Sequence, residues 1–313
     1  MSDDNDPMLS LFGSEPAKVT ERRRGGGVRE IAGTAYTAGE RIETFRHALD
    51  LAGEKPDELD GDRADKKNYA EKLSNKIAVL FANRLRLTGQ FSGVLPNPDG
   101  SGRESTVASG SGKKPKKTDV RCGTFETGLE LLVSIKTLTF RDRKGNPRKG
   151  NATLGRYTKN MVRNDHELRA EAMDVHERQP FAVLVAILFL PVTACDDGGN
   201  DKSSFAHAIA TFRRRAGRDK PSERHELFER MFIGLFEPDG DKRGEIAFFD
   251  VMHAPPRRGR PRSGLRSLEE LMAEIVKTYG LRSGRYIQYA DEEESAVPEL
   301  APITEEEEEE DDS

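Results

Sequence analysis

A lysine stands within a strand-like segment of mostly apolar residues, and an aspartate precedes that segment directly after a run of lysines. Successive side chains of a strand alternate faces, so Ser134 and Lys136 share one side of the segment 128–140. A hairpin closed near residues 126 and 127 would bring Asp119 to the same end as Lys136. A carboxylate beside an ammonium group forms either a structural ion pair or part of a site for metal and phosphate, and both alternatives are open here.

Basic side chains surround this pair on both sides in the sequence. The formal net charge is −5, but residues 291–313 contain 13 acidic residues and no Lys or Arg, and without them the net charge is +8. Residues 103–163 hold 15 Lys or Arg against 5 Asp or Glu. This density indicates a surface that faces a polyanion, the alternative being an ordinary solvated face. The cations adjoining the pair are Lys113, Lys114, Lys116, Lys117, Arg141, Arg143, Lys144, Arg148 and Lys149.

The elements that must position these residues alternate between helix and strand, which predicts an α/β fold. We predict helices over 37–51, 68–87, 153–178, 203–215 and 222–229, a strand that begins around Thr118, strands over 128–140 and 181–190, a hairpin over 231–252, and a helix capped near Ser267. One domain, residues 31–290, is expected between a tail of residues 1–30 and an acidic tail of residues 291–313. The acidic tail either mimics DNA and covers the basic surface or only improves solubility.

The order of these elements and residues resembles the PD-(D/E)xK nuclease superfamily over roughly residues 68–192. In that superfamily an Asp begins the second core strand, and an acidic-x-Lys triplet lies on the third. Here Thr118 replaces the Pro before Asp119, and the triplet reads Ser134-Ile135-Lys136. The resemblance implies a restriction endonuclease-like core, in which a mixed central sheet is flanked by helices.

Ser134 removes one of the two expected acids, so a second metal ligand must come from elsewhere. Some restriction enzymes of the superfamily have Ser-x-Lys and take a glutamate from the following helix. The same distance in sequence from Lys136 leads here to Arg148 or Lys149, which cannot bind a metal. Glu167 and Glu171 lie on one polar stripe of the helix after the strand and are the candidate replacements, the alternative being a solvated helix face. A further candidate metal ligand, by resemblance, is Glu71 in the preceding helix.

The resemblance implies Mg²⁺-dependent hydrolysis of DNA phosphodiester bonds, with Mn²⁺ as a substitute metal. Asp119 and a partner carboxylate would hold the metal, while Lys136 would orient the attacking water and stabilise the developing charge. Double-stranded DNA would contact the basic residues above together with Asn160 and Arg163. A restriction-type or phage-defence endonuclease is expected, and a homodimer or subunits of a defence complex are the candidate protein partners. The alternative is a non-catalytic DNA-binding or assembly subunit with a degenerate nuclease fold.

The remaining composition favours a cytoplasmic protein without membrane contact. Cys122 and Cys195 have no metal-ligand spacing and suit a reducing compartment. The longest apolar run, residues 181–192, is shorter than the roughly 20 residues needed to cross a bilayer. No signal peptide is apparent at the N-terminus.

Overall fold

Helices and strands alternate along the residues that the computed structural model describes, which are 41–102, 106–107, 116–145 and 151–295. The predicted tail of residues 1–30 and the first ten residues of the predicted domain lie outside these ranges. The helices are α1 (Phe45–Ala52), α2 (Arg63–Leu87), α3 (Met161–His176), α4 (Ser204–Phe212) and α5 (Leu268–Ser295). The strands are β1 (Thr106–Val107), β2 (Lys116–Lys117), β3 (Val120–Cys122), β4 (Leu131–Thr137), β5 (Arg143–Lys144), β6 (Thr153–Leu154), β7 (Val183–Pro191), β8 (Arg230–Phe236), β9 (Ile246–Asp250) and β10 (Leu265–Arg266).

A mixed sheet of six strands forms the centre of the fold, in the order β10-β9-β8-β7-β4-β3. Strands β4, β7 and β8 run parallel to one another, whereas β3, β9 and β10 pair antiparallel with their neighbours. Helices cover the sheet, so the predicted α/β fold with a mixed central sheet flanked by helices is confirmed at this level of description.

Two apolar clusters, one on each face of the sheet, hold the helices in place. Leu131, Val133 and Ile135 of β4 pack with α1, α2 and α5, whereas Leu132 and Leu138 pack with α3 and α4. Both faces of β4 and β7 are therefore buried, which explains why these strands have near-continuous apolar sequences. Each fully buried Leu, Ile or Val side chain contributes roughly 1.5–3 kcal/mol to folding.

The hairpin between β3 and β4 determines which residues of the two strands lie opposite each other. Gly123 has φ of 141°, and a Cβ atom there would lie 1.9 Å from the carbonyl oxygen of Gly128. Only glycine fits this close approach without displacing the backbone. The turn is closed by Thr124 and Thr127, whose hydroxyl groups each accept a hydrogen bond from the other residue's main-chain N–H.

The long helix α3 begins later than the sequence predicts. Residues 153 and 154 form β6, which pairs with β5, and helical structure starts at Met161 instead of near 153. The main chain of Asp142 accepts from the Gly155 N–H at 2.6 Å and donates to the Arg156 carbonyl at 2.8 Å. These hairpin bonds satisfy backbone groups that a longer helix would have to pair internally.

The helix predicted over residues 222–229 is also wrong, because that segment forms turns beside the sheet. Phe228 donates its N–H to the carbonyl of Arg215 at 2.7 Å and accepts from the Arg218 N–H at 3.1 Å. Such long-range backbone pairing is favoured here because it buries Phe228 completely.

From residue 230 onwards the chain follows the prediction more closely. Strands β8 and β9 form the predicted antiparallel hairpin, and a capping box begins α5. Glu270 accepts from the Ser267 N–H at 2.7 Å, while the Ser267 hydroxyl accepts from the Glu270 N–H at 3.1 Å. Helix α5 includes residues 291–295, and the rest of the predicted acidic tail lies outside the description. Among the described helices, none combines the length and apolar content that a membrane span requires.

Candidate functional site

Ser134 and Lys136 lie on the face of β4 that α3 covers. Ser134 is completely buried, whereas the side chain of Lys136 remains 22% exposed at the end of the strand. This placement follows from the alternation of β4, because Leu132 and Leu138 belong to the same buried face. The predicted sharing of one strand face by Ser134 and Lys136 is therefore confirmed.

Asp119 precedes β3 and contacts β4 through its side chain. The register pairs Val120 with Val133, which brings Asp119 beside Ser134. Oδ2 of Asp119 accepts a hydrogen bond from the Ile135 N–H at 2.7 Å. The carboxylate thus meets β4 at the residue between Ser134 and Lys136, and the predicted meeting of the aspartate with this end of the strand is observed.

Glu171 reaches the same part of β4 from α3. Its Oε1 atom accepts a hydrogen bond from the Ser134 hydroxyl at 2.6 Å, and the residue is only 5% exposed. Burying a carboxylate costs several kcal/mol, while a hydrogen bond to a charged group returns only about 1.5–3 kcal/mol. Within the described ranges this hydroxyl is the one hydrogen-bond partner of Glu171.

Glu167, one helical turn earlier, has a different partner. Its Oε2 atom lies 3.7 Å from Nζ of Lys136, and Oε1 accepts from Nε of Arg163 at 2.7 Å. Burial raises the pKa of Glu167, but the Arg163 hydrogen bond and the Lys136 charge lower it more, so the pKa lies below its ordinary value. Glu167 stays ionised near neutral pH and holds the ammonium group of Lys136.

Asp119 and Glu171 are the carboxylates near Ser134 that could hold a magnesium ion together with water. Mg²⁺ is commonly held by one or two carboxylates together with substrate phosphate, and Asp119 and Glu171 supply two beside the same serine. A complete protein cage is not present, since the described part of the chain contains no group of three or more His, Cys, Asp or Glu side chains arranged for a metal. Any ion here would need water and substrate oxygens as further ligands.

Glu71 does not join these residues. It is exposed on α2, whose buried residues Leu73 and Ile77 pack with Val133 and the rest of the opposite sheet face. Since Ser134 and Glu171 lie on the α3 side, the predicted metal role of Glu71 has no support from its position. The sequence pattern could not reveal this, because it does not specify which sheet face a helix covers.

The predicted DNA-binding residues fall into three groups. Lys113, Lys114, Arg148 and Lys149 lie outside the described residues, and Lys116 and Lys117 form β2. Arg141 and Arg143 contact the loop before α2: Arg141 Nε lies 2.8 Å from an oxygen of Glu58, and Arg143 donates to the Leu59 carbonyl at 3.0 Å. Lys144, Asn160 and Arg163 are exposed.

An open cavity of about 420 Å³ lies beyond the end of β4, beside the first turns of α2 and α3. Its walls include Arg141, Arg143 and Asn160, but also Lys159 and Asp142, which the sequence interpretation did not select. Burial raises the pKa of Asp142 above its ordinary range. In the sequence, Asp142 lies within the basic loop and Lys159 follows it. This position alone did not distinguish the two residues from their neighbours.

The site is therefore a row of three contacts on one strand: Asp119 at Ile135, Glu171 at Ser134 and Glu167 at Lys136. Two carboxylates adjoin the serine, and one anchored cation stands beside them. Such a group can hold a divalent ion and present an ammonium group to an anionic substrate. No protein-family model, curated protein or solved structure matches this chain.

Proposed function

We propose that this chain is a metal-dependent DNA endonuclease with a restriction endonuclease-like core of the PD-(D/E)xK type. The observation that carries the proposal is the 2.6 Å contact of Glu171 with Ser134, next to the Asp119 carboxylate. A glutamate from the following helix stands where the triplet lacks its acid. The order α2, β3, β4, α3, β7 also agrees with that core.

Asp119 and Glu171 would hold Mg²⁺ or Mn²⁺, which would polarise a phosphate oxygen and lower the pKa of a bound water. Lys136 orients the attacking water through its ammonium group and stabilises the negative charge that develops on the phosphate. Glu167 keeps that ammonium in position, since the two groups lie 3.7 Å apart. Ser134 positions the Glu171 carboxylate through its hydroxyl group.

The proposed substrate is double-stranded DNA, approached through the basic residues beyond the end of β4. Arg163 and Lys144 are exposed near this end, and Lys159 and Asn160 line the adjoining cavity. Cations in such an arrangement bind phosphates irrespective of base sequence. A restriction or phage-defence role in the cytoplasm, with a second copy or other defence subunits as partners, remains part of this proposal.

A non-catalytic DNA-binding or assembly subunit is the second candidate. The observation that favours it is that, among the described residues, no three acidic, His or Cys side chains are arranged to hold a metal. Incubation of supercoiled plasmid with the pure protein separates the two functions. The nuclease produces nicked or linear plasmid with Mg²⁺ and none with EDTA, whereas plasmid that is bound but remains supercoiled with both Mg²⁺ and Mn²⁺ would reject the proposed activity.

Replacement of Glu171 by glutamine tests the metal site independently of cleavage. Saturating Mn²⁺ should raise the melting temperature of the wild type, because a ligand that binds only the folded state stabilises it. Glu171→Gln should weaken Mn²⁺ binding by at least about tenfold, since even residues that only orient a metal ligand contribute about 10–100-fold to affinity. Thermal denaturation over a Mn²⁺ titration measures this change.

Glu167→Gln is the matched control, because it removes the same charge four residues earlier on α3. Glu167 is paired with Lys136 and Arg163, so this variant should keep the Mn²⁺-dependent rise in melting temperature. Equal loss in both variants would contradict the assignment of Glu171 as the ligand. An unchanged titration in Glu171→Gln would do the same.

A further inference from the structure

A second cationic surface follows β9 and is separate from the basic residues beyond the end of β4. The arginine loop, residues 254–263, has the sequence APPRRGRPRS, with four arginines, three prolines and no acidic residue. Proline restricts the conformations of the unfolded loop, so less entropy is lost when the loop is held in one shape. A rigid cationic loop is a preorganised binding surface for anions.

The arginine loop is attached to the body of the protein by its own backbone. Gly259 donates its N–H to the Cys195 carbonyl at 2.8 Å, and the carbonyl of Arg257 accepts from the Ser203 N–H at 3.3 Å. Pro261 is buried. These contacts hold both halves of the loop against the segments that follow β7.

The four guanidinium groups of the loop are not equivalent. Arg260 pairs with Glu237 at 3.2 Å, and Arg257 donates to the Asn200 carbonyl at 3.3 Å. Arg258 and Arg262 are exposed, and neither has a hydrogen-bond or ion-pair partner within the described ranges. Both line an open cavity of about 680 Å³ in the loop. Among the residues that the structure describes, two positive charges of the loop are therefore uncompensated.

The middle of the arginine loop, at Gly259 and Arg260, lies at the same end of the sheet as Lys136. Its contacts Cys195 and Glu237 come just after β7 and β8, and those strands run parallel to β4. Adjacent strands are about 4.8 Å apart, so β4 and β9 are separated by roughly 15 Å across the sheet. About five base pairs of one DNA duplex span this distance, since each base pair adds about 3.4 Å along the axis.

We propose that Arg258 and Arg262 bind the phosphate backbone of the duplex beside the scissile bond. This inference rests on the proposed nuclease function, for which it supplies a second DNA-contacting surface. The contacts would be independent of base sequence, because exposed guanidinium groups on a loop pair with phosphate oxygens. Arginine suits this role through its planar, bidentate donors.

The test is the salt dependence of duplex binding by the double variant Arg258→Ala/Arg262→Ala. Binding of a fluorescent duplex is followed by polarisation in EDTA, so that no cleavage interferes. The slope of log Kobs against log salt is negative, and each phosphate contact adds about 0.9 to its magnitude. Loss of two contacts should therefore reduce the magnitude of the slope by about 1.8. The variant Arg258→Lys/Arg262→Lys retains both charges and should keep the wild-type slope.

The matched control is Arg178→Ala/Lys277→Ala, which removes the same charge from two exposed residues elsewhere. Arg178 lies just before β7, at the end of the sheet where the parallel strands begin, and Lys277 lies on α5. The inference fails if the slope is unchanged in the arginine-loop variant or falls equally in the control. A reduced slope without plasmid cleavage would reject only the nuclease activity, and cleavage with an unchanged slope would reject only the arginine-loop contact.

Discussion

Replacement of Lys136 by methionine is expected to slow Mg²⁺-dependent plasmid cleavage by about 10²–10³-fold, the usual effect of removing one preorganised charge-stabilising group. Methionine retains the unbranched apolar chain and removes only the ammonium group, which lies 3.7 Å from Glu167. Single-turnover cleavage with excess protein measures this effect, because it separates the chemical step from binding and product release. Binding of the duplex should persist.

The control for this variant is Lys277→Met, which makes the same replacement at an exposed position of α5. It should cleave at the wild-type rate. If Lys136→Met cleaves as fast as Lys277→Met, the ammonium group has no part in the reaction and its contact with Glu167 is a structural ion pair. Melting curves of both variants establish that a slow rate comes from folded protein.

Local patterns were sufficient to predict much of the candidate site. The alternation of apolar and polar residues placed Ser134 and Lys136 on one face of β4, and the short turn predicted an antiparallel partner for that strand. Both features depend on residues close in sequence. The capping box of α5 was predictable for the same reason, since Ser267 and Glu270 are three residues apart.

The choice between Glu167 and Glu171 could not be made from the sequence. Both lie on one stripe of α3, so helical periodicity treats them alike. The packing of α3 on β4 decides the matter, and it depends on buried residues of both elements such as Leu132 and Leu168. The position of a helix against a strand depends on tertiary packing, and the spacing of residues within one helix gives no information about that packing. The same reasoning applies to Glu71 and the face that α2 covers.

The segment 222–229, which was wrongly predicted to be a helix, ends at Glu229, and this residue belongs to a buried charge network that the sequence did not reveal. Glu229 is 1% exposed, and its Oε1 atom accepts from Arg218 and Arg282 at 2.7 Å each. Its Oε2 atom accepts from the Leu184 N–H at 2.7 Å. Arg218 is fully buried and donates further to the Pro180 and Pro221 carbonyls. These residues join β7, β8 and α5 at the end of the sheet where the parallel strands begin.

Replacement of Glu229 by glutamine is expected to lower the free energy of unfolding by about 3–5 kcal/mol, the usual cost of breaking a buried ion pair on one side. The glutamine would retain the shape of the side chain but remove the negative charge that faces the guanidinium groups of Arg218 and Arg282. Chemical denaturation at neutral pH measures the loss. Glu245→Gln, in an exposed pair whose atoms are 4.0 Å apart, should change stability by less than about 1 kcal/mol.

The effect of Glu229→Gln should also depend on pH in a defined direction. Burial raises the pKa of Glu229, but the nearby His176 and the charge of Arg282 together lower it more. The closest approach of Glu229 to the His176 ring is 3.6 Å, which is longer than a hydrogen bond. The pKa of Glu229 in the folded protein is thus below its unfolded value of about 4.3. The ionised carboxylate therefore contributes its full stabilisation above about pH 4.3, and this stabilisation is lost as the pH falls through the folded-state pKa. The difference between wild type and variant should therefore still be present at about pH 5 and shrink below about pH 4. A difference that grew on acidification would mean that Glu229 is held protonated in the folded protein, and the network would then have to be stabilised without the charge on which this argument depends.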